Sequence, residues 1–192
     1  MVLFQAVNDL ARRTPWAHGA VLAYASYGVA LFAALLLAGW WAARRSGPRT
    51  MAGALWAGAA TLLAVALNQP IVAATGEARP YTAHPGILVL ARRSADLSFP
   101  SDHAVMAGAV AAGLWLVSRR LGAAATIAAL LMAFARVYVG AHYPRDVLAG
   151  LALGATVALG GWALLRRPLT ALVVRCGRTL LCPVLRTSAA TA

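Results

Sequence analysis

Lysine does not occur anywhere in this sequence, and only five of its 192 residues are acidic. Charged residues make up 11% of the chain, against about a quarter in soluble domains. That scarcity excludes an ordinary soluble surface, and the 61% of hydrophobic residues places the chain in a lipid bilayer. All 17 basic residues are arginine, giving a formal charge of +12. Nucleic-acid binders gather such charge on a soluble face or helix stripe. Here the arginines fall mostly in pairs between apolar runs, as in membrane loops, and nucleic acid is excluded as a partner. Cysteine is nearly absent too: Cys176 and Cys182 lack a His or Cys neighbour at ligand spacing, so they read as unpaired thiols and no zinc site.

The opening stretch, Met1 to Trp16, carries Asp9, Arg12 and Arg13 and does not resemble a cleavable leader. Within it Leu3, Phe4, Val7, Leu10 and Ala11 recur at helical spacing, which predicts an interfacial amphipathic helix over 1–17. A helical span needs about 20 apolar residues. The expectation is therefore an all-α membrane bundle of about five spans, at 19–42, 51–74, 103–118, 121–140 and 146–165, within a domain covering 18–167. Arg166-Arg167-Pro168 predicts the end of the last span, followed by a basic cytoplasmic tail over 168–192. Leu169 to Leu185 reads as a helix lying on the surface, with a sixth span as the alternative.

With five spans, ten arginines share one side, among them Arg44, Arg45, Arg119 and Arg120, and six or seven share the other. The positive-inside bias then puts the C-terminus in the cytoplasm and the N-terminus outside, in a plasma-membrane protein. The longest loop, about Thr75 to Phe99, faces outward. Loops of that length in compact domains tend to be functional.

Four of the five acidic residues (Glu77, Asp96, Asp102, Asp146) and three of the four histidines (His84, His103, His142) fall on this predicted outer side. Ionisable groups near lipid mark function. The polar strip Ser98-Phe99-Pro100-Ser101-Asp102-His103 opens the third span, with Ser101 or Asp102 as its expected cap. Two histidines can divide nucleophile and acid roles. Asp146, one helical turn after His142, can accept the proton of its far ring nitrogen and fix the tautomer. Arg79 and Arg136 offer guanidinium forks that match phosphate oxygens. The cluster suits a phosphate, and the two arginines would repel a cation from a His103-His142-Asp146 site, so no metal or cofactor is expected.

These residues resemble the signature of the type 2 phosphatidic acid phosphatase (PAP2) superfamily: Lys-x6-Arg-Pro, Pro-Ser-Gly-His and Ser-Arg-x5-His-x3-Asp. Here they read Arg79-Pro80, then Pro100-Ser101-Asp102-His103, then Ala135-Arg136 through His142 to Asp146. The resemblance covers about 51–165. It implies that His142 is the nucleophile forming a phosphohistidine, oriented by Asp146, and that His103 is the acid and later the base. Arg79, Ser101 and Arg136 would hold the phosphate oxygens. Two positions depart from the pattern: Val72 stands where the family has lysine, and Ala135 where it has serine. Arg92, Arg93, Asn68 or Gln69 could supply the missing contact. Asn68-Gln69 together with Glu77-Ala78-Arg79-Pro80-Tyr81 is similar to the undecaprenyl-diphosphate phosphatase branch. The resemblance thus implies a metal-independent hydrolase of a membrane lipid phosphate. The expected substrate is a polyprenyl diphosphate, and the alternatives are phosphatidic acid or phosphatidylglycerol phosphate. A transporter or non-catalytic lipid-binding protein is the reading from a different class, and the absence of an inverted repeat speaks against the former.

Overall fold

The computed structural model describes residues 1–177 and Leu185. Arg178, Cys182, Arg186 and residues 178–184 of the segment expected as a surface helix or sixth span lie outside the described residues, while its first part, Leu169 to Cys176, belongs to the last helix. Among the described residues eight α-helices follow in order: α1 (Val2–Arg13), α2 (His18–Tyr27), α3 (Val29–Ala43), α4 (Pro48–Thr75), α5 (Pro80–Ala83), α6 (Asp102–Trp115), α7 (Arg119–Tyr138) and α8 (Pro144–Cys176). Proline at the first turn starts α4, α5 and α8, where its missing N–H costs nothing. Among the described residues there is no strand, and the all-helical membrane bundle is the fold observed.

α6 is the central element. Its residues Ala104, Val105 and Ala107 to Leu114 are buried, nearly all of them Ala, Gly or Val, so that neighbouring backbones approach closely. Its tightest partner is α8: a Cβ added at Gly154 would collide with the Val105 carbonyl of α6. At 14 residues, α6 is about 21 Å long, short of the ~30 Å hydrocarbon core. It runs antiparallel to α4, from the Asn68–Pro100 hydrogen bond at one end to the packing of Leu116 on Gly53 at the other. The predicted third span is thus a short, buried helix that runs the bundle from end to end beside α4, and its polar opening is held one to two turns inside the end of α4.

Among the described residues, length and composition allow three helices to cross a membrane by themselves: α4 with α5, α7 and α8. The predicted first span is bent by 55° between α2 and α3; taken as one span, the pair makes a fourth by length and composition among the described residues. The expected helix end at Arg166-Arg167-Pro168 is corrected: α8 continues through Pro168 to Cys176. A helix-interior proline costs about 3 kcal/mol. Here Leu169, Val173 and Cys176 pack into the cluster built on Ala43, Met51 and Trp56, and that burial holds the helix together past the proline. The ends of α3, α6 and α8 and the start of α4 therefore meet at one end of the bundle.

The long loop gathers at the other end. α1 covers it: buried Asn8 donates to the Leu88 carbonyl at 2.8 Å and accepts from the Leu88 N–H at 3.0 Å, and Arg12 donates to the Gly86 carbonyl at 2.6 Å. The amphipathic N-terminal helix predicted from sequence is therefore fastened to the loop through its buried face of Phe4, Asn8 and Ala11.

Candidate active site

The site is assembled from four chain segments. After α7, Gly140 takes the left-handed backbone conformation, φ 75°, and turns the chain. The Ala141 and His142 N–H groups then both donate back to the Arg136 carbonyl, at 3.1 and 3.3 Å. This turn brings His142 beside the guanidinium of Arg136, six residues earlier. Arg79 arrives from the residue that caps α5, and His103 from the first turn of α6.

His142 is buried, 2% exposed, and both ring nitrogens are engaged. Nδ1 lies 2.8 Å from the Ser98 carbonyl oxygen. A carbonyl only accepts, so Nδ1 carries the proton and the neutral ring presents a lone pair at Nε2. Arg79 Nη1 and Arg136 Nη2 point at that lone pair from 3.4 and 3.3 Å. Burial lowers the pKa of His142, and Arg136 and Arg79 lower it further, against the opposing pull of Asp146. The imidazole is thereby kept neutral.

Asp146 does not take the position predicted for it. Its Oδ2 is 3.6 Å from His142 Nδ1, beyond hydrogen-bond reach. That oxygen instead accepts from the Ser98 hydroxyl at 2.6 Å and the Tyr143 N–H at 2.9 Å. Because proline and the short Tyr143-Pro144-Arg145 step place Asp146 at the third position of α8, its carboxylate caps the helix start. The carboxylate acts on the histidine through Ser98, which sequence reasoning passed over. Ser98 is fully buried, and its own N–H donates to the Glu77 carbonyl at 2.8 Å. Glu77 in turn accepts from Arg145. The available signal was position: Ser98 opens the polar strip.

A cavity of about 590 Å³ lies over these groups, lined among others by Arg79, His103, Arg136, His142, Arg92 and Gln69. Arg79 is fixed at its rim, where its Nε donates to the Asp96 carbonyl at 3.0 Å. Arg136 is braced by a 3.2 Å bond to the Ala25 carbonyl. Ser101 is fully buried, and among the described residues its hydroxyl has no hydrogen-bond partner.

The remaining candidates divide. Arg92 lines the cavity, whereas Arg93 lies over the Tyr81 ring, 5.9 Å from its centroid, and does not. Asn68 is fully buried behind the cavity wall and donates to the Asp102 carboxylate at 2.7 Å. Gln69 lines the cavity, but its amide also donates to Asp102, at 3.0 Å. Asp102, expected as a helix cap, makes no cap bond; it joins α6 to α4 instead.

Asp102 and His103 are shared with a second, apolar groove of about 430 Å³, lined by residues such as Phe32, Leu36, Leu62, Val65 and Met106. A polar chamber and an apolar groove thus meet at His103.

The PAP2 superfamily model matches residues 53–168, which include every residue of this cluster. The chain is 30% identical over 175 residues to undecaprenyl-diphosphatase BcrC of Bacillus subtilis, covering 90% of this chain and 89% of the relative. It is 42% identical over 109 residues to a lipid A 1-phosphatase of Rhizobium johnstonii, covering 54% of this chain and 41% of that one. It is also 39% identical over 111 residues to decaprenylphosphoryl-5-phosphoribose phosphatase of Mycobacterium tuberculosis, covering 57% and 60%. The crystal structure of Aquifex aeolicus LpxE superposes with a TM-score of 0.57 at 24% identity, over 84% of this chain and 93% of that one, and agrees in fold. With the matched region spanning the whole polar cluster and the bundle around it, the chain belongs to the PAP2 superfamily and is a membrane phosphatase.

Proposed function

We propose that the chain removes the terminal phosphate of a polyprenyl diphosphate at the outer face of the plasma membrane, through a phosphohistidine on His142. The observation that carries this reading is the proton-free Nε2 of His142, aimed at a chamber between Arg79 and Arg136. In the first step Nε2 attacks the terminal phosphorus and the phosphorus–oxygen bond to the leaving group breaks. His103 gives its proton to that oxygen. In the second step His103 takes a proton from water, whose oxygen attacks phosphorus, and the bond to Nε2 breaks to release inorganic phosphate. Arg79 and Arg136 neutralise the equatorial oxygens of the five-coordinate transition state. Ser101, assigned to the phosphate by the resemblance, is fully buried and does not line the chamber, and its hydroxyl has no partner among the described residues. No step requires a metal.

The apolar groove beside His103 supports a lipid substrate, since a hydrocarbon chain there would leave its phosphate in the chamber. The outer-face assignment rests on the arginine bias, with the tail on the cytoplasmic side. Arg92 supports a diphosphate in particular: it lines the cavity that the family lysine, here Val72, no longer serves.

Release of inorganic phosphate by purified protein in detergent, with a chelator present, tests the reading. Activity on a C55 polyprenyl diphosphate is expected to exceed that on phosphatidic acid, and His142→Ala is expected to be silent. Activity that survives His142→Ala, or that the chelator abolishes, overturns the mechanism. Faster turnover of phosphatidic acid or phosphatidylglycerol phosphate overturns the substrate.

A further inference from the structure

The end of the bundle away from the site holds a second charged concavity. It is a recess of about 780 Å³ between the start of α4 and the last turns of α8, and Arg49, Arg166, Arg167 and Arg175 line it. All four are exposed. Thr170, Ala171 and Val174 complete the lining, so cationic groups surround a partly apolar floor.

The chain offers these arginines no carboxylate side chain. Its five acidic residues are Asp9, Glu77, Asp96, Asp102 and Asp146. Asp9 lies on α1, which is bonded to the loop over the site, and the other four belong to that loop or to the helix starts beneath it. No Asp or Glu follows Asp146 in the sequence. Four guanidinium groups converging from two helices repel one another, and no acidic side chain of the protein stands beside them to balance their charge.

Their position selects the source of a balancing charge. Leu164, Leu165 and Leu172, on the same stretch of α8, are exposed apolar side chains, which in a membrane protein face lipid. The arginines beside them lie where the hydrocarbon core gives way to headgroups. Basic pockets between helices at that depth suit phosphate headgroups, and guanidinium forks match phosphate oxygens in pairs. Continuation of α8 past Pro168 makes the recess, since Thr170 and Arg175 exist as wall residues only if the helix goes on.

We propose that this recess binds the phosphate headgroup of an anionic phospholipid in the leaflet opposite the active site. The lipid would hold the end of α8 against the start of α4, as a site separate from the one that turns substrate over.

Native mass spectrometry of the full chain in detergent tests this, with phosphatidylglycerol and phosphatidylcholine of matched chains as probes. Wild type is expected to retain phosphatidylglycerol at least tenfold more than the quadruple variant Arg49→Gln/Arg166→Gln/Arg167→Gln/Arg175→Gln, and phosphatidylcholine equally. Retention in the catalytic chamber is common to both proteins and cancels from the comparison. Should the quadruple variant fail to fold, the four single variants carry the test, each weakening retention about fivefold. Equal retention by wild type and variants overturns the proposal, as does equal retention of the two lipids by wild type. Displacement of phosphatidylglycerol by millimolar inorganic phosphate would make this a site for free phosphate and overturn the lipid assignment.

Discussion

The backbone carbonyl of Ser98 receives the Nδ1 proton of His142 at 2.8 Å, while the nearest Asp146 oxygen stands 3.6 Å away. The histidine's tautomer is therefore set by main chain. The carboxylate holds that main chain in place through the Ser98 hydroxyl, 2.6 Å from Asp146 Oδ2.

Ser98→Ala is expected to lower kcat about 10- to 100-fold with little change in KM. The variant keeps the carbonyl but removes a hydrogen bond to a buried carboxylate, worth about 1.5–3 kcal/mol. A steady-state comparison in detergent reads the split. Wild-type kcat in Ser98→Ala would show that the hydroxyl does not position the histidine.

The acid limb of the pH–rate profile is expected below the ordinary range for histidine. Burial, then Arg136 and Arg79, push the His142 pKa down, and in the proposed mechanism the neutral ring is the nucleophile. Activity should therefore persist as pH falls through the normal histidine range and disappear only at the depressed value. The same sign governs folding: a histidine buried neutral loses stability as pH drops below its unfolded pKa. Replacing Arg136 by Gln should raise the His142 midpoint in an NMR titration; an unchanged or lower midpoint contradicts the electrostatic account.

Asn68→Ala is expected to cost stability more than turnover. Its amide joins α4 to the Asp102 carboxylate and to the Pro100 carbonyl, and none of it reaches the cavity. Removing a buried donor to a charged group costs about 2 kcal/mol, which lowers the melting temperature of a chain this size by about 4–8 °C. A scanning thermal melt measures it. A large rise in KM with an unchanged melting temperature would instead restore Asn68 as a substrate contact.

Gly154→Ala is expected to impair both stability and catalysis. The added methyl would strike the Val105 carbonyl and force α6 from α8, at about 1–3 kcal/mol. The same two helices carry the Ser101 N–H to Asp146 carbonyl bond, 3.2 Å, beneath the site. Unchanged melting and turnover in this variant would show that the helices can separate without disturbing the site.

Much of this protein follows from residue types and spacing alone. Apolar runs dictate a membrane bundle because backbone polar groups in lipid must be satisfied within helices. Helix alternation puts Arg79, His103, Arg136 and His142 at one end, and the structure gathers all four around one cavity. The four-residue step from His142 to Asp146 is local as well, so their neighbourhood was legible. Which acceptor takes the Nδ1 proton was not, because Ser98 stands 44 positions away and only loop packing decides where its carbonyl points. Asn68 and Gln69 share one sequence run, yet one is buried behind the wall and the other lines the cavity; a helix face is assigned by its neighbours. Pro168 is the sharpest case. Its local cost predicts a helix end, and the burial of Leu169 and Val173 against the start of α4 outweighs that cost. Sequence by itself determined the family and the end of the bundle where the polar residues collect; tertiary packing decided hydrogen-bond partners, the reach of α8 and the recess at its far end, because each depends on contacts between residues far apart in the chain.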